Sequence, residues 1–358
     1  MTHKPRRPLS SGLRATAAAL AFSSLLAGCA GDSEDTTSAD PDASATPVAP
    51  RLGRPIEVGG TPSAIAVGDG SVWVADNVGG TVSRIDAAGG EVEGERIRVG
   101  AGPEAIAVGE GAVWVASGDD TITRIDPAGG TAERVAVRVG DPRGIVAGEG
   151  SVWVASGSDG TVTRIDPETL EEVGEPIVVA AGQTIAEGGM ALGDLAIADG
   201  AVWAISVDGA TLTRIDAASG ETGEPVAIGE FQALGLVAGE GALWVAATDD
   251  RLAQPIVVRR VDPSTSEVGA STEIPGAAIP IRLAAGEGAV WITLPGGLRP
   301  PDPEPLPSGV AYLESASGEL GAAALEVGER PGAIAVGEGS VWVANSGDGT
   351  VSRIDPGG

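Results

Sequence analysis

The sequence predicts an all-β chain: a seven-bladed β-propeller of four-stranded blades, closed by an N-terminal outer strand that completes the last blade. Three observations carry this. Seven tryptophans, Trp73, Trp114, Trp153, Trp203, Trp244, Trp291 and Trp342, recur at spacings of 39 to 51 residues. Each lies in the same phrase, read most clearly from Pro331 to Asp355 as PGAIAVGEGSVWVANSGDGTVSRID. That last copy stops after a third strand, while a fourth-strand phrase, Arg54 to Gly59, stands ahead of the first full copy. A repeat of about 40 residues holding several short strands is the mark of stacked blades around an axis.

Within the first copy, Ala64 to Val67 reads as a strand of small residues suited to the crowded axis, and Val72 to Ala75 as a second strand. Thr81 to Ile85 and Arg96 to Val99 follow as the third and fourth, with Gly-rich turns between them. The second strand is apolar on both faces and needs cover on both, which neighbouring blades supply. Pairing the Arg54 segment with the last blade removes an edge that would otherwise be open.

The tryptophans are expected in the core, because a chain with 56 glycines and 3% aromatic residues has few other large side chains to bury. Six arginines, Arg84, Arg124, Arg164, Arg214, Arg260 and Arg353, open a recurring Arg-Ile-Asp or Arg-Val-Asp phrase. In four copies the arginine follows the Trp by 11 residues, so a four-residue hairpin loop sets the two opposite each other and predicts Arg-on-Trp stacking. In the sixth copy Tyr312 takes the arginine's place.

At the N-terminus, Lys4, Arg6, Arg7 and Arg14 precede an apolar run from Ala15 to Ala27, the layout of an export signal too short to span a bilayer. The run ends Leu26-Ala27-Gly28-Cys29, which resembles the lipobox of bacterial lipoproteins and implies lipidation of Cys29. Residues 1–28 are therefore expected to be a lipoprotein signal peptide, residues 29–53 the lipidated Cys29 with a disordered acidic tether, and residues 54–358 the propeller. The Ser-, Thr-, Asp- and Pro-rich tether would hold the domain roughly 25 Å from its anchor. The expected location is extracytoplasmic, on the bacterial cell membrane. A formal charge of −28, with no lysine after Lys4, excludes nucleic acid as a partner by repulsion.

The stretch from Trp342 to Pro356 resembles the repeat of YVTN-type seven-bladed propellers, and the resemblance runs from Arg54 to Gly358. It implies a binding or surface protein of the cell envelope. Streptogramin lyases carry a similar Gly-rich Trp repeat, but their chemistry depends on histidine. Here the one histidine is His3 and the one cysteine is Cys29, so no catalytic residue, metal ligand or cofactor is expected in the propeller. The turn acids Asp69, Glu110, Glu149, Asp199, Glu240, Glu287 and Glu338 occur singly, unlike the clustered oxygens calcium needs, and read as solvated turn residues.

Irregular insertions fall at Ala180 to Met190, Thr248 to Gln254 and Leu294 to Ser308. These are connections between blades or between second and third strands, which in a propeller share one face. Nine residues before the Trp, the regular copies carry Ala64, Ala105, Gly144 and Ala333, whereas the fourth and sixth carry Asp194 and Arg282. With Glu104 and Arg143 at the adjacent position and Phe231 in a nearby connection, these residues form the candidate ligand site. The expected role is a non-catalytic, monomeric binding module for a protein, peptide or small ligand. The alternatives are a carboxylate-only enzyme such as a glycan hydrolase, or a passive structural protein of the envelope.

Overall fold

The computed structural model describes residues 49–357 apart from 180–191, 208, 230–231, 249–254, 276, 278, 299–304 and 322–323, together with the side chains of 297–298 and 305–307. Every regular element among the described residues is a strand, and the strands form seven antiparallel sheets. The first blade runs Pro62–Gly68, Ser71–Asp76, Thr81–Asp86 and Val92–Arg98, each strand pairing with the next. Blades two to seven open with the strands Pro103–Gly109, Pro142–Gly148, Leu192–Ala198, Gln232–Gly239, Leu283–Gly286 and Pro331–Gly337. In blade six the outer position is marked by two isolated bridges, Val310 to Leu325 and Leu313 to Leu320.

The ring closes in blade seven. Its third strand, Thr350–Asp355, pairs outward with Ile56–Glu57 and with Arg51–Leu52. Closure thus begins at Arg51, inside the segment expected as tether, and the outer strand comes in two pieces. Pro55 has no N–H to give the ladder, and between the pieces Gly53 donates its N–H to the Arg353 carbonyl at 2.8 Å. A second difference concerns Leu294 to Ser308, expected as an irregular insertion. Its described backbone continues the hairpin of blade six, Ala289–Leu298 against Pro305–Glu314, with Pro295 opposite Ser308 and Gly297 opposite Leu306.

The core is divided among seven seams. In each, the Trp of one blade packs into the aliphatic face of the next: Trp73 against Val113 and Val115, Trp114 against Val152 and Val154, and so on round to Trp342 against Val72 and Val74. All seven indoles are at most 3% exposed. The alternation of the second strand explains this, since its Trp faces one neighbour while the flanking aliphatic residues face the other.

The expected Trp–Arg register is present throughout, including Trp114 opposite Arg124, Trp203 opposite Arg214 and Trp244 opposite Arg260. Guanidinium carbons of Arg84, Arg164 and Arg353 lie 5.0 to 5.4 Å from the ring centroids of Trp73, Trp153 and Trp342. Each of these arginines also donates from Nε to a serine that opens the second strand, at 2.8 to 3.0 Å. Their Nη1 atoms reach the following blade, on the carbonyls of Pro127, Ala218 and Ala88 respectively. One planar, forked side chain therefore stacks, anchors and bridges, a combination lysine lacks. Opposite Trp291, Tyr312 packs ring against ring at 5.2 Å.

The aspartate of the same phrase holds the next turn. Backbone N–H groups of Thr169 and Glu168 donate to Asp166, those of Ser219 and Ala218 to Asp216, and the Ser264 hydroxyl and N–H with the Thr265 N–H to Asp262. These bonds hold the three exposed carboxyls below the usual aspartate range.

The turns between first and second strands keep their acids exposed, as expected, with Glu110 half-buried. Each is a two-residue hairpin with positive φ at both positions, such as Glu338 at 53° and Gly339 at 67°. A glutamate held there costs about 1 kcal/mol. Three of them offset that strain by reaching across a seam: the Oε1 atoms of Glu110, Glu240 and Glu338 accept the N–H of Gly150, Gly288 and Gly70 at 3.0 to 3.2 Å. Glu149 and Glu287 make no such bond among the described residues, nor do the shorter Asp69 and Asp199.

Candidate functional site

The first strand of each blade runs from the inter-blade connection to the hairpin turn, so the residue nine before the Trp sits near the connection end of the central channel. Ala64, Ala105, Asp194, Arg282 and Ala333 line one channel cavity of about 180 Å³ with Gly144 and Leu236. A second cavity of about 220 Å³ opens beside it at blades four to six. Glu104, Arg143, Asp194 and Arg282 line both, so the structure brings these four predicted residues together. Phe231, Cys29, and the segments 180–190 and 249–254 lie outside the described residues.

Arg143 and Glu104 form an ion pair, Nη1 to Oε2 at 2.6 Å, and the Nη2 of Arg143 meets Asp141 at 2.7 Å. Burial works against the charged guanidinium, but the hydrogen bond to Asp141 and the charges of Glu104 and Asp141 prevail and hold it above its ordinary range. Asp194 leans toward blade five, where its Oδ2 accepts the Leu236 N–H at 3.4 Å. The Nη1 of Arg282 donates to the carbonyl of Ile281 at 3.1 Å, while its backbone is fixed to Thr293. Among the described residues, neither Asp194 nor Arg282 has an opposite charge within ion-pair distance.

Between these two charges stands blade five, with glycine at the corresponding position. A Cβ on Gly235 would meet Asp194 Oδ2 at 3.6 Å and the Ile281 carbonyl and Leu283 Cγ at 4.0 Å, all ordinary contacts. One wall of the second cavity is apolar, formed by Ile205, Val207, Leu234, Ile279 and Pro280. Sequence reasoning missed this wall and the glycine. Ile205 and Val207 end a second strand, and only the approach of neighbouring blades decides which ends of those strands border the channel.

A larger hollow of about 520 Å³ lies on the opposite face, between the turns of blades four and five. It is open, and of its two carboxylates Asp262 is already engaged by Ser264 and Thr265, while Asp199 is exposed in its turn. The smaller cavities at the channel mouth bring charges of both signs together, which this hollow does not among the described residues, and we place the candidate site there.

No family model matches the sequence, and no curated protein matches it. Among solved structures the chain is similar to virginiamycin B lyase from Staphylococcus aureus, with a TM-score of 0.66 and 18% identity over 86% of this chain and 99% of that one. A catalytically inactive form of that lyase with quinupristin gives 0.67 and 18% over the same shares. Kuenenia stuttgartiensis hydrazine synthase gives 0.66 and 16%, over 82% of this chain and 95% of that one. At such identities the likeness is one of fold alone, and the fold shared with these lyases is the seven-bladed β-propeller.

Proposed function

We propose that this chain is a non-catalytic binding module of the bacterial cell envelope, held at the membrane by lipid on Cys29 and taking its ligand at the channel mouth beside blades four to six. The observation that carries the reading is the convergence of Glu104, Arg143, Asp194 and Arg282 on cavities shared with an apolar wall. Five of the seven positions in that channel ring are Ala or Gly, so the two charges mark places where the scaffold departs from its own rule. The repeat phrase supports membership of the YVTN-type propellers. Lyase chemistry that depends on histidine finds no support, because the one histidine, His3, lies in the segment read as a removed signal.

The test is capture by the purified chain from the small-molecule and peptide fraction of cell envelopes, read by mass spectrometry. Gly235→Val, which adds bulk beside Asp194 without a forbidden contact at Cβ, is expected to lose the retained species while melting like the wild type. An identical retained set, or none from wild type, would sink the reading. For the anchor, Cys29→Ser should move the chain from the membrane fraction to the soluble one; continued membrane retention would count against lipidation.

A further inference from the structure

We propose that the channel mouth recognises a small apolar zwitterion, an amino acid or dipeptide with both ends free. Its ammonium group meets Asp194, its carboxylate meets Arg282, and its side chain lies on the wall of Ile205, Val207 and Ile279. The inference rests on the binding reading above and names the ligand class for that site.

Charge accounting comes first. The charge of Arg143 is matched by Glu104 on one Nη and Asp141 on the other, while its buried Nε has no partner among the described residues. Among the described residues that leaves one anion and one cation of the cavity without an ion pair, each holding a single neutral partner, the Leu236 N–H and the Ile281 carbonyl. They do not neutralise each other: they stand on blades four and six, with blade five between, and form no ion pair among the described residues. A ligand that satisfies both must carry opposite charges at its two ends.

Other classes fit worse. A dianion such as phosphate meets Asp194 and Glu104 inside a strongly acidic protein. A simple cation leaves Arg282 unmatched. Among the described residues, the second cavity has no aromatic ring in its lining on which a sugar would stack. Its apolar rim includes Ile279, 44% exposed, which an aliphatic side chain would cover. Size agrees too: 220 Å³ falls below the about 300–1,000 Å³ of sites for drug-sized ligands.

Isothermal titration calorimetry of the full chain tests this with L-leucine and L-leucyl-L-leucine, against N-acetyl-L-leucine, which lacks the ammonium, and L-leucinamide, which lacks the carboxylate. At least one zwitterion is expected to bind, and each single-charge analogue to bind about tenfold or more weakly than leucine, a loss of about 1.4 kcal/mol. Asp194→Asn should erase the discrimination against N-acetyl-L-leucine, and Arg282→Gln that against L-leucinamide, with both variants melting like wild type. Equal affinity of the analogues, or no heat from either zwitterion, overturns the inference. If envelope capture then still returns a species lost in Gly235→Val, the binding reading stands without this ligand class; if capture also fails, both fall.

Discussion

The two faces of this propeller are built on different terms. On the face of the hairpin turns the blades resemble one another, with acidic turns, Trp–Arg pairs and carboxylates reaching from one blade to the next. On the face of the connections, blades four and six break the pattern with Asp194 and Arg282 at the channel mouth, and blade six adds a lengthened hairpin. Among the described residues the turn face couples five of the seven blades to their successors, and so supplies rigidity that lets the other face vary. Site residues held by such a scaffold need not contribute to stability themselves.

That contrast can be broken by measurement. The largest effect is expected at Trp114, fully buried in the seam to blade three and donating to the Gly109 carbonyl at 3.0 Å. Trp114→Ala should cost about 3–5 kcal/mol in chemical denaturation, and a loss under about 1 kcal/mol would mean that the seam is not what holds the blades. Next is Arg353→Lys, which keeps the charge but gives up the planar stack on Trp342 and the fork shared by Ser340 and Ala88. It should cost about 1–2 kcal/mol, and neutrality would reduce the arginine ladder to decoration. Glu338→Asp retains charge in the turn but falls short of Gly70, with an expected cost of about 0.5–1 kcal/mol in the same assay. Smallest is Arg282→Gln on the other face, expected to stay within about 0.5 kcal/mol of wild type. A clear destabilisation there would show that the channel mouth belongs to the scaffold after all.

Much of the turn face was legible from the chain alone. Alternation with a period of two, together with loop length, fixes which residues stand opposite one another, so Arg353 could be set against Trp342 and Tyr312 against Trp291. The same logic held for Trp244 and Arg260, where a longer loop intervenes, because the flanking strands keep their phase. Contacts across seams were not legible. Glu338 to Gly70 and Arg84 to Pro127 join blades through geometry that no local pattern encodes. The start of closure at Arg51 escaped for a related reason: two residues with one bridge each carry no periodicity. At the channel mouth, counting nine residues back from the Trp located Asp194 and Arg282, whereas the ion pair of Arg143 with Asp141 depends on a positive-φ aspartate in the preceding connection.

Closure of the ring also sets an order in time. Arg51 and Leu52 pair with Asp355 and Ile354, so the first strands to be delivered wait for the last. Bridging so long a stretch is not itself prohibitive, since each doubling of loop length adds only about 0.6 kcal/mol. Delay is the greater hazard. Until Thr350–Asp355 arrives, the earlier blades can stack only as an open arc with a bare strand edge at the gap, the kind of surface that recruits other chains. A chain cut before Thr350 loses the partner of both closing pieces at once, and the arc is then left without the strand that makes it a circle.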